Sequence, residues 1–386
     1  MIQFSSHGIL SPHSNRATCM GIFFMKLVRW TFLLMLSSAA AVAEDIKVVG
    51  GVDLSIQPPS KSFSLRATSK FDTVRHITLL KVELSDKARQ KFERRANDAV
   101  LKANNTVLAS TSAKKVQLGM GNVPVLDQGA YGSCVMFAAT AAVDAVINKG
   151  DYISQLCLLQ LGRYLENNAY NPSGWNGSLG SVVLNQMSVF GLVSKAKQTA
   201  NGCGGLTEYP PRNAGGDILP GTEMMPVDYH ALSEPMDDDV VAWSPVLDIY
   251  QVILDNHNPN TTLSQVKAVL SAGDRLIFVV LLPAVDKGLA GAVGKYHAAN
   301  DSWLLTPEIV DDLNFADEFP AAHEMVITGY DDDAVAVDDH GRSHKGLFTL
   351  RNSWGANIGD KGNFYMSYDY FKTLAMEVQR IRNLND

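Results

Sequence analysis

Basic clusters, long apolar runs and repeats are all missing from this chain, and each absence narrows what it can be. Lys and Arg number 33 against 40 Asp and Glu, for a formal net charge of −7, and they concentrate on no segment. A phosphate backbone needs clustered cations, so nucleic acid is not an expected partner. No apolar stretch reaches the ~20 residues that a membrane span requires. There is no internal repeat and no low-complexity tract, which excludes solenoids and disordered arrays. Cysteine is scarce, with four in 386 residues. With 46% apolar composition, the chain can bury one large two-lobed domain or two ordinary ones.

The first 43 residues carry Arg16, Lys26 and Arg29 but no acid. A short apolar run from Trp30 to Leu36 leads to Ala41-Val42-Ala43. That is the build of a secretory signal cleaved before Glu44, and Met25 is an alternative start that makes an ordinary signal on its own. Removal takes away three positive charges, so the product starts near −10, with no further membrane segment. Cys19 leaves with the signal, and export puts Cys134, Cys157 and Cys203 where disulfides persist. Three is odd, so one thiol should stay free.

Residues 46–54 and 75–84 are rich in Val, Ile and Leu and read as two strands of a hairpin around Pro58-Pro59. Phe92, Ala96 and Val100 recur at helical spacing after Ser85, which predicts a helix over 86–103. The polar stretch 104–115 reads as a linker. Beyond it, 133–148 predicts a buried Ala-rich helix stopped near Gly150, with further helices over 155–167, 179–190 and 263–272. Strands are expected at 276–282, 325–330 and 347–351. Residues 210–260, rich in Pro, Asp and Gly, read as a mainly irregular insertion.

Three segments carry chemistry. In DQGAYGSCVMF, Cys134 sits where a loop turns into a helix, so the helix dipole and free N–H groups favour its thiolate. Gln128 can add an amide donor beside the Cys134 N–H to form an oxyanion hole. In AAHEMVITGYDDD, His323 precedes an apolar strand, and in LFTLRNSWGANIGDKGNF, Asn352 ends one. Taken singly, each has a plain structural reading: a small packed thiol, a strand-end histidine, a turn asparagine. If 323–352 is an antiparallel hairpin with its tip near 338–341, His323 and Asn352 become neighbours. The asparagine oxygen then holds one imidazole nitrogen while the other faces a thiol. The acids at 331–333 and 338–339 read as a solvated hairpin tip rather than a calcium loop.

These motifs resemble the papain-like C1 family of cysteine peptidases, closely at both ends of 116–386 and weakly between. The resemblance implies an α+β, two-lobed fold, a helical lobe against a strand-rich, barrel-like one. It implies Cys134 as nucleophile, His323 as base, Asn352 as its orienter, Gln128 as oxyanion donor and Trp354 as a shield over the His–Asn contact. It also implies peptide substrates along a wall at Gly177 and Ser178, and no metal or other cofactor. With Cys134 taken as the free thiol, Cys157 and Cys203 are expected to pair. Tyr131 stands where the family usually has a disulfide cysteine, and Val135 and Ile358 where it usually has tryptophan.

Family members carry an inhibitory propeptide, and residues 44–115 occupy that place as a hairpin and helix. The expectation is that this segment lies across the cleft and is removed near Lys114-Lys115. The expected product is a secreted peptidase, extracellular or periplasmic in transit. Two other classes use the same groups: a catalytically weak binding protein on this scaffold, and a thiol acyltransferase of transglutaminase type.

Overall fold

In the computed structural model, the structure describes residues 45–56, 75–102, 113–170, 172, 174–210, 219–236, 240–254, 256–283, 301–315 and 320–385. All belong to the unit Asp45–Asp386. The expected signal segment 1–43 with its alternative start, Pro58-Pro59 and most of the expected linker lie outside the described residues.

The protein is α+β, and its centre is one mixed sheet. The path of that sheet runs β4 (Val241–Leu247), β10 (Ala375–Asn383), β5 (Arg275–Leu282), β7 (Ala321–Val337), β8 (Ser343–Arg351), β9 (Asn363–Ser367), β6 (Ser302–Trp303). Two short additions join β7. They are β3 (Lys115–Gln117) and an N-terminal hairpin of β1 (Ile46–Ile56) and β2 (Arg75–Leu84), attached through β2. β5 is buried from Leu276 to Leu282, as its unbroken apolar run requires, and β7 is buried from Ala321 to Tyr330 although it carries His323, Glu324 and Thr328.

Helix α1 (Asp86–Lys102) follows the hairpin and buries Ala88, Phe92 and Ala96 at four-residue spacing. Helix α2 (Cys134–Ile147) is apolar all round and buried from Cys134 to Asp144, and it packs on β7. It stops at Asn148 in the left-handed region, φ 55°, two residues before the expected glycine. Helices α3 (Gln155–Asn167), α4 (Gly180–Phe190) and α5 (Lys195–Asn201) complete the helical front half. The stretch expected to be mainly irregular contains α6 (Pro226–Leu232), the edge strand β4 and α7 (Ile249–Leu254). Helices α8 (Pro259–Ser271), α9 (Pro307–Phe315) and α10 (Tyr368–Leu374) lie among the later strands.

The β7–β8 hairpin determines where the site can be, and its tip is pinned by charge. Asp338 accepts the backbone N–H groups of His340 and Arg342 and the Arg342 Nε, the last at 2.8 Å. Buried His344 lies between Asp369, 2.7 Å from its Nδ1, and Asp338, 3.3 Å from its Nε2. Burial alone would lower the His344 pKa, but the two carboxylates outweigh it and raise it. Asp331, Asp332 and Asp333 are ion-paired with Lys115, Lys267, and Lys114 and Lys345.

A histidine with a raised folded pKa stabilises fully below its unfolded value and loses that contribution as pH rises through the folded one. Asp338 and Asp369 are lowered, so their share is lost as pH falls through the acid range. The cluster therefore contributes most between roughly pH 4 and 6.5. His344→Ala should cost about 1–3 kcal/mol in urea unfolding within that window and clearly less at about pH 9. An equal cost at both would contradict a charged His344.

Candidate active site

The site forms where the start of β7 meets the chain just after β8. The last ladder pair there is Val326 with Arg351. Continuing the register brings His323 level with Trp354, and the imidazole stacks on that indole at 4.8 Å and 28°. His323 Nε2 lies 2.8 Å from Asn352 Oδ1, which also accepts the Ser353 N–H at 2.7 Å. Because Oδ1 is already an acceptor there, Nε2 must carry the hydrogen, leaving the Nδ1 lone pair free. Nδ1 is buried and has no hydrogen-bond partner among the described residues. Trp303 of β6 stacks on Phe364 and meets Trp354 edge-on at 6.1 Å. A second indole thus stands beside Trp354, supplied by β6, while Ile358 is buried aliphatic packing.

Cys134 opens α2, whose first turn holds no acid. Its sulfur faces backbone N–H groups of Glu324, Val135 and Cys134 itself, which sets the thiol against β7 at Glu324, the residue that follows His323. Gln128 is held on all sides. Its N–H donates to Ser353 O at 2.8 Å, its Oε1 accepts the Ser353 hydroxyl at 2.8 Å, and its Nε2 donates to Tyr131 O at 2.8 Å. The other Nε2 hydrogen goes to Thr78 O, 3.2 Å away on β2.

That last contact belongs to a larger one. Leu80 and Lys81 of β2 pair with Ala322 and Ala321, directly before His323. A Cβ placed on Gly177, which has φ +118°, would come within 2.5 Å of Val48 and 2.9 Å of Leu80. Side chains of the N-terminal hairpin therefore pack directly on the Gly177 backbone. Ser178 is buried behind it. Leu54, Ile77, Leu79, Leu80, Val82 and Leu84 of the hairpin are buried, at roughly 1.5–3 kcal/mol each.

Cys134 and His323 are fully buried under this cover. Burial pushes the thiol up to about 12 and the imidazole down to about 4. Between those limits both groups are neutral, so the proton stays on sulfur. Cys157 and Cys203 form a disulfide with Cα atoms 5.0 Å apart, and Cys134 is the free cysteine of the described residues.

The sequence reading missed one neighbour. Glu324 is buried, and neither carboxylate oxygen has a hydrogen-bond partner among the described residues. It shares a small cavity with Asn352, Ser353 and Arg351, and it lies near Glu377, which accepts the N–H of Gly180 at 2.8 Å. Burial, then Glu377, raises its pKa well above the usual carboxylate value. Its place next to His323 was the available signal, but strand alternation alone gives no reason to bury a carboxyl there.

Residues 310–383, about a fifth of the chain, match the model of the Peptidase C1-like family, and that stretch carries His323 and Asn352. The chain is thus similar to papain-like cysteine peptidases. Among solved structures it is similar to xylellain, a cysteine protease from Xylella fastidiosa, at 18% identity and TM-score 0.41 over 70% of this chain and 86% of that one. It is likewise similar to the proform of the ragweed pollen cysteine protease Amb a 11, at 16% and 0.41 over 74% and 69%. Bromelain from Ananas comosus gives 16% and 0.40 over 70% and 99%. At those scores the likeness carries no weight for the chemistry, which rests on the side chains above. No curated protein sequence matches the chain significantly.

A buried carboxyl with a raised pKa folds best protonated, so Glu324 removes stability as pH climbs from the ordinary carboxylate range. Glu324→Gln should raise stability by about 1–3 kcal/mol at roughly pH 8 and change little at roughly pH 4, read by urea unfolding. An equal loss at both would show the carboxyl to be stably paired.

Proposed function

We propose that the chain is a secreted cysteine peptidase made as a zymogen on a two-lobed, papain-like fold. The observation that supports this reading is the imidazole of His323, tied by Nε2 to Asn352, stacked on Trp354 and free at Nδ1, with the helix-terminal thiol of Cys134 against Glu324, the next residue of β7. Nδ1 takes the proton of Cys134, and the thiolate is favoured by the N-terminus of α2. The sulfur attacks a peptide carbonyl, whose oxygen gains negative charge between the Cys134 N–H and Gln128 Nε2. His323 then donates its proton to the leaving amine, and water, activated by the same imidazole, hydrolyses the acyl-enzyme. Asn352 keeps the ring in one tautomer throughout without adding charge.

The hairpin supports the inhibited state. Thr78 O already occupies the Gln128 amide where a substrate oxygen would arrive, and β2 takes the strand edge at Ala321 and Ala322 that an extended peptide would use. With the cleft filled, the thiol and imidazole are dry and neutral. Gly177 and Ser178 would line the substrate once β2 leaves. The expected cut at Lys114-Lys115 falls on residues tied to β7: Lys114 O accepts the Asp332 N–H, and Lys115 pairs with Asp331.

The test uses the full chain and a fluorogenic peptide library. Wild type should turn over slowly, and Leu80→Asp, which buries a charge against Gly177, should raise the rate at least about tenfold by displacing β2. Leu80→Ala should give a smaller rise in the same direction, and adding Cys134→Ala should abolish turnover. Activity that survives Cys134→Ala would end the peptidase reading. An unchanged rate in both Leu80 variants, in a wild type that already cleaves well, would end the zymogen reading.

A further inference from the structure

The loop from Gln128 to Cys134 must hold two donors, the Gln128 amide and the Cys134 N–H, at one fixed separation. In the family that this chain resembles, a disulfide cysteine stands at the position of Tyr131, and here that covalent tie is absent. A single side chain from outside the loop takes hold of it instead. The hydroxyl of half-buried Tyr209 donates to Gln128 O at 2.7 Å and lies 2.9 Å from the Ser133 hydroxyl. Its one proton goes to the carbonyl, so Ser133 donates to the tyrosine oxygen. That oxygen therefore bridges the loop's first residue and the residue just before the nucleophile.

The ring of Tyr209 holds what lies between. It stacks on Trp175 at 5.9 Å and 11°, meets Tyr131 edge-on at 6.1 Å, and meets Phe137, one turn into α2, edge-on at 5.0 Å. Tyr131 in turn packs edge-on against Trp175 at 5.0 Å. Gly132 lets the chain pass, since a Cβ there would come within 3.2 Å of the Asn176 backbone. The segment bearing Tyr209 is itself anchored, through Cys203 six residues earlier, to Cys157 of α3.

We propose that Tyr209 is a positioning residue for the oxyanion hole: its hydroxyl and ring replace the missing disulfide and hold Gln128 in line with the Cys134 N–H. The proposal rests on the peptidase reading, and it goes further by separating the oxyanion donors from the thiol. Tyr209→Phe keeps the ring and removes only the bridge. Its effect should fall on steps in which the substrate oxygen becomes negative, and not on the nucleophilicity of sulfur.

The experiment compares Tyr209 with Tyr209→Phe in the full chain carrying Leu80→Asp. A peptide aldehyde forms a hemithioacetal whose oxygen sits among the oxyanion donors, whereas iodoacetamide alkylates the thiol without them. Aldehyde affinity and kcat should each fall about tenfold, a fraction of the loss on deleting an oxyanion donor outright, with KM and the alkylation rate within about twofold. Ser133→Ala should give a smaller loss of the same pattern and add little to Tyr209→Phe, because both break one bridge. Unchanged aldehyde affinity in both variants, or alkylation falling in parallel with it, would overturn the role of Tyr209. A chain with Tyr209 intact that is alkylated at Cys134 yet binds no aldehyde would overturn the peptidase reading, and this proposal with it.

Discussion

The antiparallel register of β7 and β8 is the constraint on which the rest depends. It brings His323 to 2.8 Å from Asn352 and sets Trp354 across the imidazole face, although 29 residues separate the two polar partners. A slip of one residue would send every side chain of β8 to the other face and leave a buried imidazole without an acceptor. The sequence invests in preventing it. The tip is closed by Asp338 with Arg342 and His344, β7 is flanked by buried strands, and the loop after β8 is zipped to 126–128 by Gly355 N–H to Leu126 O and Gln128 N–H to Ser353 O. The last of these bonds ties the His–Asn pair to the loop bearing the thiol.

Around that frame, burial decides the chemical state. Cys134 and His323 are both fully buried, and burial favours the neutral thiol and the neutral imidazole, because neither charge is solvated. On the proposed zymogen reading, displacing β2 would return water to a sulfur that already sits at a helix N-terminus. On the same reading, inhibition and ionisation are coupled through one strand, β2. Glu324 sits at the edge of this arrangement as a cost, a buried carboxyl that is tolerated while neutral.

Much of this was legible in the sequence. The N-terminal hairpin, α1, α2 and the β7–β8 pair follow from periodicity and from glycine and polar punctuation, and the nearness of His323 to Asn352 follows from the hairpin geometry. What stayed hidden depends on tertiary partners. Tyr209 lies in a Pro-rich stretch whose local pattern reads as loop, and only the fold brings its hydroxyl to Gln128 and Ser133. β4 is a short edge strand interrupted by Pro245, so its identity comes from pairing with β10 rather than from its own residues. Trp303 reaches Trp354 through a two-residue strand, too short for any pattern to announce.

The central claim is that an imidazole held by a carboxamide acts on this thiol. Its most direct measurement is the pH dependence of Cys134 alkylation in the chain with β2 displaced, with and without His323→Ala. The account predicts fast alkylation that persists well below the ~8.5 of an ordinary cysteine and collapses to ordinary thiol behaviour in the variant. Identical profiles, both rising only near that value, would contradict it.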